Sequence, residues 1–198
     1  MTHEIMSKIL NVPYYSQIKD TQNPDWQDSS CGIAALKMVL DFFQPTNLTI
    51  DDLYQKGLDI NGYLENVGWY HHSLALLAKD LGYKAITRTW NLPEEYDKKL
   101  KERGFSGADL QILKDEQEIE GIFTLKRELD QKHPIIVPVS KGFGKSGEGH
   151  LVVLIGYDES GFILNDPYDE IRVGKEFEIS FEEFSETWSK RAIIIEPI

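Results

Sequence analysis

The clearest pattern along the chain is an apolar run at residues 33–43, in which only Lys37 and Asp41 carry charge. Those two are four residues apart and share one side of a helix. A helix apolar on its other faces is buried on most sides. Ser29 and Ser30 precede it, and either offers a side-chain oxygen to the first unpaired amides. The helix is expected to end near Gln44-Pro45. Thr49-Ile50-Asp51-Asp52 has the pattern of a capping box and predicts a second short helix, with Gly57 as its stop. The triplet Asn47-Leu48-Thr49 also fits a glycan acceptor, but the cap is the better use of Thr49. Leu74, Leu77, Ala78 and Leu81 recur at helical spacing over residues 73–81, and Gly82 ends that helix. Before all of these, Val12-Pro13-Tyr14-Tyr15-Ser16-Gln17 reads as a short edge strand, with Asn23-Pro24-Asp25 as a turn in the polar loop behind it.

Residues 83–90 alternate and predict a strand. The pattern then shifts. Residues 94–103 are charged and predict an exposed helix, which Gly104 and Gly107 break. Residues 109–121 read as a polar connection and residues 123–131 as an amphipathic helix. The charged stretch 93–121 is taken as an insertion, its charges forming a solvated face. Beyond His133-Pro134 the chain turns to strands. These are Ile135 to Val139, His150 to Tyr157, Phe162 to Asp166 after a turn at Glu159-Ser160-Gly161, and Arg191 to Glu196. Ser180 caps a last helix carrying Phe184 and Trp188. Helices lead and an antiparallel sheet follows, so the expected class is α+β in one domain spanning residues 1–198.

Composition narrows the function classes. The 198 residues are 41% hydrophobic and 27% charged, enough for one core without staples. A net charge of −12 argues against nucleic acid and anionic membrane as partners, because both demand a basic surface. A single cysteine excludes an internal disulfide and multi-cysteine zinc sites. No apolar run approaches the ~18 residues of a membrane span. The first ten residues lack the basic start and apolar core of a signal peptide, so a cytoplasmic location is expected.

Candidate chemistry begins with that cysteine. Cys31 lies in or beside the first turn of the apolar helix, where free amides and the helix dipole favour a thiolate. Gly32 behind it leaves room for a substrate to approach the backbone. The alternative is an inert buried thiol, since free cysteine is among the most buried residues. Gly142-Phe143-Gly144-Lys145-Ser146 contains part of a phosphate loop, but the pattern needs a glycine where Val139 stands, and a strand follows instead of a helix. A mobile flap is the better reading. His71 and His72 are adjacent and diverge on a helix, His3 lies in a tail, and His133 precedes a proline. No spacing fits a metal site, and no metal or cofactor is expected. His150, where the glycine-rich loop enters a strand, remains as a candidate base. Asp166 and Asn165, on the return strand, are competing partners for its ring, and the strand register decides between them. Tyr14, Tyr15, Trp26 and Trp69 are aromatic candidates for a subsite or for the core.

Taken in order, Val12-Pro13-Tyr14-Tyr15-Ser16-Gln17, Ser30-Cys31-Gly32-Ile33-Ala34-Ala35-Leu36, Gly149-His150-Leu151-Val152-Val153-Leu154-Ile155-Gly156-Tyr157 and Asn165-Asp166-Pro167 resemble the double-glycine leader, or bacteriocin-processing, cysteine peptidases, distant relatives of papain. The resemblance covers residues 12–43 and 134–197 and leaves out residues 90–121. It implies a papain-like fold with a central cysteine helix packed on a C-terminal antiparallel sheet. It implies Cys31 as nucleophile, His150 as general base and Asp166 as its orienter. Gln17 would donate to the oxyanion together with the backbone N–H of Cys31. In transporter-linked members the glutamine lies only a few residues before the cysteine; here a polar loop intervenes, and Gln22 and Gln27 in that loop are rivals. No transporter segment follows the domain in this sequence. The implied activity is cleavage of a peptide or small amide through an acyl-cysteine. The alternatives are an acyl or peptidyl transferase, an amidohydrolase, or a non-catalytic peptide-binding module.

Overall fold

The structure is a computed structural model that describes residues 9–65, 67–144, 147–170 and 172–198. The expectations for the first eight residues, including His3, and for Lys145 and Ser146 lie outside the described residues.

Helix α1 (Cys31–Phe43) is buried without interruption from Gly32 to Asp41. Its two charges are inside with it. Lys37 pairs with Asp41, which also accepts hydrogen bonds from the Tyr15 hydroxyl (2.7 Å) and the Thr46 N–H (3.1 Å). A buried charge persists only when paired and hydrogen-bonded, and this network supplies both. Helix α2 (Ile50–Asp59) opens on the expected capping box, Thr49 with Asp52. It runs through Gly57 instead of stopping there. Gly57 faces the Trp69 ring, and a Cβ would come within 2.4 Å of it, so packing and not chain reversal selects the glycine. Two short strands, β1 (Tyr63–Leu64) and β2 (Gly68–Trp69), pair before helix α3 (His71–Asp80). Gly82, at φ +91°, ends the α3 region in a left-handed turn that suits glycine.

The middle of the chain differs from its reading. Helix α4 (Glu94–Glu102) is as expected, but residues 109–121 are no loop. They belong to one 24-residue helix, α5 (Gly107–Asp130), that opens on a Ser106–Asp109 capping box. Gly121, the last residue of the stretch read as a connection, sits where Trp188 and Trp90 press on the helix; a Cβ would lie 2.6 Å from Trp188. The C-terminal part of α5 enters the core through Leu125 and Leu129.

Six antiparallel strands form the main sheet in the order β3-β8-β4-β5-β6-β7. They are β3 (Tyr83–Thr89), β4 (Ile135–Ser140), β5 (Gly149–Tyr157), β6 (Gly161–Asn165), β7 (Phe177–Ser180) and β8 (Arg191–Pro197), with helix α6 (Phe181–Thr187) between the last two. β5 is buried from His150 through Gly156 and β6 along its whole length, so both faces of the central sheet are covered. α1 and α5 pack on β4 and β5, while α3 packs on β3 and β8. Residues 12–17 are extended but join no ladder. Leu10 N–H bonds to the Ile155 carbonyl and Gln17 N–H to the Pro167 carbonyl, so the segment is anchored at its flanks rather than zipped along an edge. Among the described residues no helix is long and apolar enough to cross a membrane. The result is a mixed helix and antiparallel-sheet architecture in which the N-terminal end of α1 meets the β4–β5–β6 end of the sheet.

Candidate active site

Cys31 is the first residue of α1, as its sequence position implied, but the serines before it act differently from expectation. Neither caps the helix with its side chain. Ser30 Oγ donates to the Trp26 carbonyl (2.7 Å), and Ser29 Oγ lies 2.7 Å from the Tyr54 hydroxyl. A short 3-10 helix, Pro24–Ser29, replaces the expected turn and brings those partners close. The first-turn amides are thereby left to serve the site, and the Gly32 N–H bonds to the Cys31 sulfur. Gly32 is also not a gap for substrate. A Cβ there would meet Leu151 at 2.9 Å, Leu74 at 3.1 Å and Trp69 at 3.3 Å, so the glycine lets α1 press against its neighbours.

β5 supplies the other side. Leu151 stands opposite Pro138 of β4, whose carbonyl is already taken by the Ser189 N–H. On its other flank β6 ends at Asn165, opposite Val153. The Leu151 backbone is one of the groups that favour the Cys31 thiolate. One residue earlier, His150 is 3% exposed and places its ring between Cys31 and Asp166. Nε2 lies 2.6 Å from Asp166 Oδ1, and the ring is also hydrogen-bonded to the Cys31 side chain.

A bulge decides which carboxylate or amide reaches that ring. Gly156 opposes Ile163, but Leu154 opposes Leu164, so β5 carries one extra residue, Ile155. Side chains alternate along a strand, so a slip of one residue exchanges faces. Without the extra residue the ladder would set Asp166 against Val153, on the face away from His150. With it, the register continues to Val152, and Asp166 shares the face of His150. Asn165, buried and on the other face, accepts from the Glu176 N–H (3.0 Å) through Oδ1. Asp166 is held by more than histidine. It accepts from the Tyr168 N–H (2.9 Å) and from Arg172 Nη2 (2.5 Å).

These contacts set the charges. Burial pushes the Cys31 thiol up, but the hydrogen bond and charge of His150, with the two backbone donors, outweigh it and leave the thiol below its ordinary value. Burial works against the imidazolium too, yet Asp166 and Cys31 raise His150 to about 9. Burial likewise opposes the Asp166 carboxylate, and His150, Tyr168 and Arg172 hold its pKa below the usual range. The arrangement favours a thiolate beside an imidazolium, which is the form a nucleophilic cysteine needs.

A cavity of about 370 Å3 opens over Cys31 and His150. Trp69 and Tyr63 form an aromatic wall, and the carboxylates of Asp28 and Glu148 stand among the lining residues. Trp69 is locked in place by its Nε1–H bond to the Ser29 carbonyl (2.7 Å) and by edge contact with Tyr54. Of the other aromatic candidates, Trp26 stacks on Tyr54 behind that wall, Tyr15 serves Asp41, and the Tyr14 hydroxyl donates to the Asp166 carbonyl (2.9 Å).

The three glutamines stand outside the cavity lining. Gln17 is 1% exposed, and its Nε2 donates to the carbonyls of Gln27 (2.8 Å) and Asp28 (3.3 Å), in the 3-10 turn that leads to Cys31. Gln22 is exposed, with its backbone N–H on Asp51, and Gln27 Nε2 donates to the Thr21 carbonyl. Among the described residues one group, Glu128, His133 and Glu196, has three possible metal-ligating atoms within 4.8 Å of one another. Sequence spacing did not join them because Glu196 arrives on β8. Glu128 is already the hydrogen-bond partner of His133 Nδ1 (3.0 Å), which accounts for the contact without an ion. His133 touches Phe43, at the end of α1 remote from Cys31. Sequence reasoning missed Arg172, Tyr168 and the Leu151 amide, since no spacing rule ties them to the cysteine or the histidine.

Comparison with known proteins accords with this geometry. The Peptidase_C39 like family matches over residues 9–192. No curated protein matches the chain. Among solved structures, a Bacillus anthracis protein described as a C39-like peptidase shares the fold with a TM-score of 0.64 at 20% identity, covering 97% of this chain and 98% of that one. The peptidase domain of Streptococcus ComA, a bifunctional ABC transporter of a quorum-sensing pathway, gives 0.57 at 22% identity over 86% and 93% of the two chains. A double-glycine-motif protease from an AMS/PCAT transporter, solved with its leader peptide, gives 0.55 at 18% identity over 96% and 94%. The fold is therefore that of the papain-like C39 peptidases, and the family match across nearly the whole chain supports a cysteine-peptidase-like function: this protein belongs to the C39-like peptidase family.

Proposed function

We propose that the chain is a thiol hydrolase that cleaves a peptide or amide bond through an acyl-cysteine, with Cys31 as nucleophile, His150 as general base and acid, and Asp166 as the group that orients the ring. The observation that carries this reading is the buried His150–Asp166 hydrogen bond (2.6 Å) together with the cavity that Cys31 and His150 both line. The Cys31 thiolate attacks the carbonyl carbon and forms a C–S bond, and the carbonyl oxygen takes the negative charge. The Cys31 N–H, in the first turn of α1, is the backbone donor to that oxygen in this reading. Gln17 is the side-chain donor of this reading: it lies outside the cavity lining with both Nε2 hydrogens on the Gln27 and Asp28 carbonyls, so it serves the oxyanion only after giving up the longer bond, to Asp28. As the C–N bond breaks, the imidazolium gives its proton to the leaving amine. Water then attacks the thioester, His150 accepts the water proton, and the carboxylic acid leaves as the thiol is regenerated.

The substrate is a peptide, in keeping with the leader peptide bound by one structural neighbour. Asp28 and Glu148 at the cavity favour a cationic residue near the scissile bond, as does the net charge of −12.

The experiment is incubation of the protein with a mixed peptide pool, with products and intact protein both read by mass spectrometry. Cleavage that Cys31→Ala abolishes, with an acyl adduct on Cys31, is expected. Products joined to an added amine would move the assignment to a transferase. Peptide binding with no Cys31-dependent turnover would sink the hydrolase reading in favour of a binding module.

A further inference from the structure

Arg172 is six residues beyond Asp166 in the sequence and belongs to no motif, yet the fold delivers it to the buried carboxylate. Its Nη2 lies 2.5 Å from Asp166 Oδ2, leaving Oδ1 to His150 (2.6 Å). Asp166 is 1% exposed, while the Arg172 side chain keeps 21% of its surface in solvent, so the carboxylate is covered on this side by a half-buried cation. The guanidinium rests against a pair of stacked rings. Its carbon is 4.4 Å from the centroid of Phe143 and 4.2 Å from that of Phe177, and the two rings stack 5.4 Å apart. Phe143 belongs to the turn Lys141–Phe143 that follows β4, and Phe177 opens β7. Two elements on either side of the site thus hold one side chain. Only a planar, delocalised cation both stacks on aromatic faces and donates in the ring plane; lysine does not.

We propose that Arg172 is a positioning residue of this site, fixing the Asp166 carboxylate toward His150 and setting the upper pH limit of the Cys31–His150 ion pair. The inference rests on the thiolate–imidazolium reading given above. Its physics has a definite sign. A cation behind Asp166 cancels part of the negative field that His150 feels, so it disfavours the imidazolium. Removing that cation leaves the field whole, and His150 holds its proton to higher pH. The other groups facing the pair stay in place: Cys31 on the histidine, and the Tyr168 N–H and Tyr14 on Asp166, with Asp169 beyond Tyr14.

Alkylation of Cys31 by iodoacetate tests the proposal without any peptide substrate. Cys31 is the only cysteine, so incorporation reports one site. The reagent is an anion, so its rate rises as the thiolate forms and falls as His150 loses its charge. In Arg172→Gln the alkaline limb is expected to move up by about half a pH unit or more. The plateau rate falls about tenfold, because the carboxylate is no longer pinned. Arg172→Lys keeps the charge without the planar fork, so its limb stays near the wild-type position while its rate falls. Limbs unmoved in Arg172→Gln, or moved equally in both variants, would overturn the proposal, because loosened structure alone lowers rates without respect to charge. A wild-type profile like that of a free thiol would overturn it at its foundation, and would do so before any variant is made.

Discussion

Replacement of His150 by alanine is the sharpest test of the site's electrostatics. In the intact site, burial raises the Cys31 pKa and His150 brings it down. Without the imidazole the burial penalty remains, and only the Gly32 and Leu151 amides still favour the thiolate. The wild-type thiol is expected to titrate below the ~8.5 of a free cysteine, and the His150→Ala thiol at or above it. At pH 7 a thiol of pKa about 8.5 is roughly 3% ionised, and one near 9 about 1%. The thiolate fraction at neutral pH should therefore drop, by about tenfold for each pH unit that separates the two titrations. The position of the titration, not the alkylation rate, is the quantity to measure. Nucleophilicity falls with pKa, with a Brønsted slope of about 0.4–0.5, so part of the change in thiolate fraction is offset in any rate. Thiolate absorbance in the far ultraviolet, taken as the difference from Cys31→Ala across pH, gives the fraction directly. Coincident titrations of wild type and His150→Ala would refute the argument, because they would mean that the histidine exerts no hold on the sulfur.

Three further outcomes concern the frame around the site. Lys37→Met strands the Asp41 carboxylate inside α1 with only neutral donors, and is expected to cost about 3–5 kcal/mol in urea unfolding; a loss below about 1 kcal/mol would show that water reaches the pair. Gly121→Ala gains about 1 kcal/mol of helix propensity but drives a Cβ to 2.6 Å from Trp188, and the overpacking cost of about 1–3 kcal/mol should win, giving a net fall in melting temperature; a stabilised variant would mean that the Trp90–Trp188 pair moves aside freely. The third outcome concerns pH. His150 is raised, so its stabilisation is complete below the unfolded value of about 6.5 and is lost as pH rises through about 9; Cys31 is lowered, so its stabilisation is present above its unfolded value and is lost as pH falls through its folded one. Above both about pH 6.5 and the folded Cys31 value, and below about 8.5, the folded chain holds one more proton on His150 and one fewer on Cys31, so the two slopes cancel and the melting temperature should be flat. Cys31→Ala keeps only the His150–Asp166 half, and its melting temperature should decline with pH above about 6.5; parallel curves for the two proteins would contradict the ion pair.

What could be read from the sequence follows from how far each determinant reaches along the chain. The capping boxes at Thr49 and Ser180, the buried α1 and the apolar runs of β4, β5 and β8 are each specified within a few residues, and each was legible. Cys31 was legible for the same reason: being first in α1 is a local property. Gly57, read as a stop, and Gly32, read as a gap, were misread for one cause, and Gly121 inside α5 shows it again. Local rules make glycine a stop or a gap, whereas here each glycine is the imprint of a tryptophan or leucine ring or branch that arrives from elsewhere in the chain. The choice between Asn165 and Asp166 shows the same limit at the site itself. Both residues sit at the end of one strand, both have the chemistry, and the deciding feature is a single extra residue, Ile155, on the neighbouring strand. No property of residues 165 and 166 carries that information. Arg172 lies further out of reach, since its contact with Asp166 depends on two aromatic rings supplied by the turn after β4 and by β7. The place of Cys31 is thus written into its own helix, whereas the residue that meets His150 and the cation behind it are written into strand register and ring packing. A search for further members of such a site should therefore begin from the bulge and the rings, not from the motif around the cysteine.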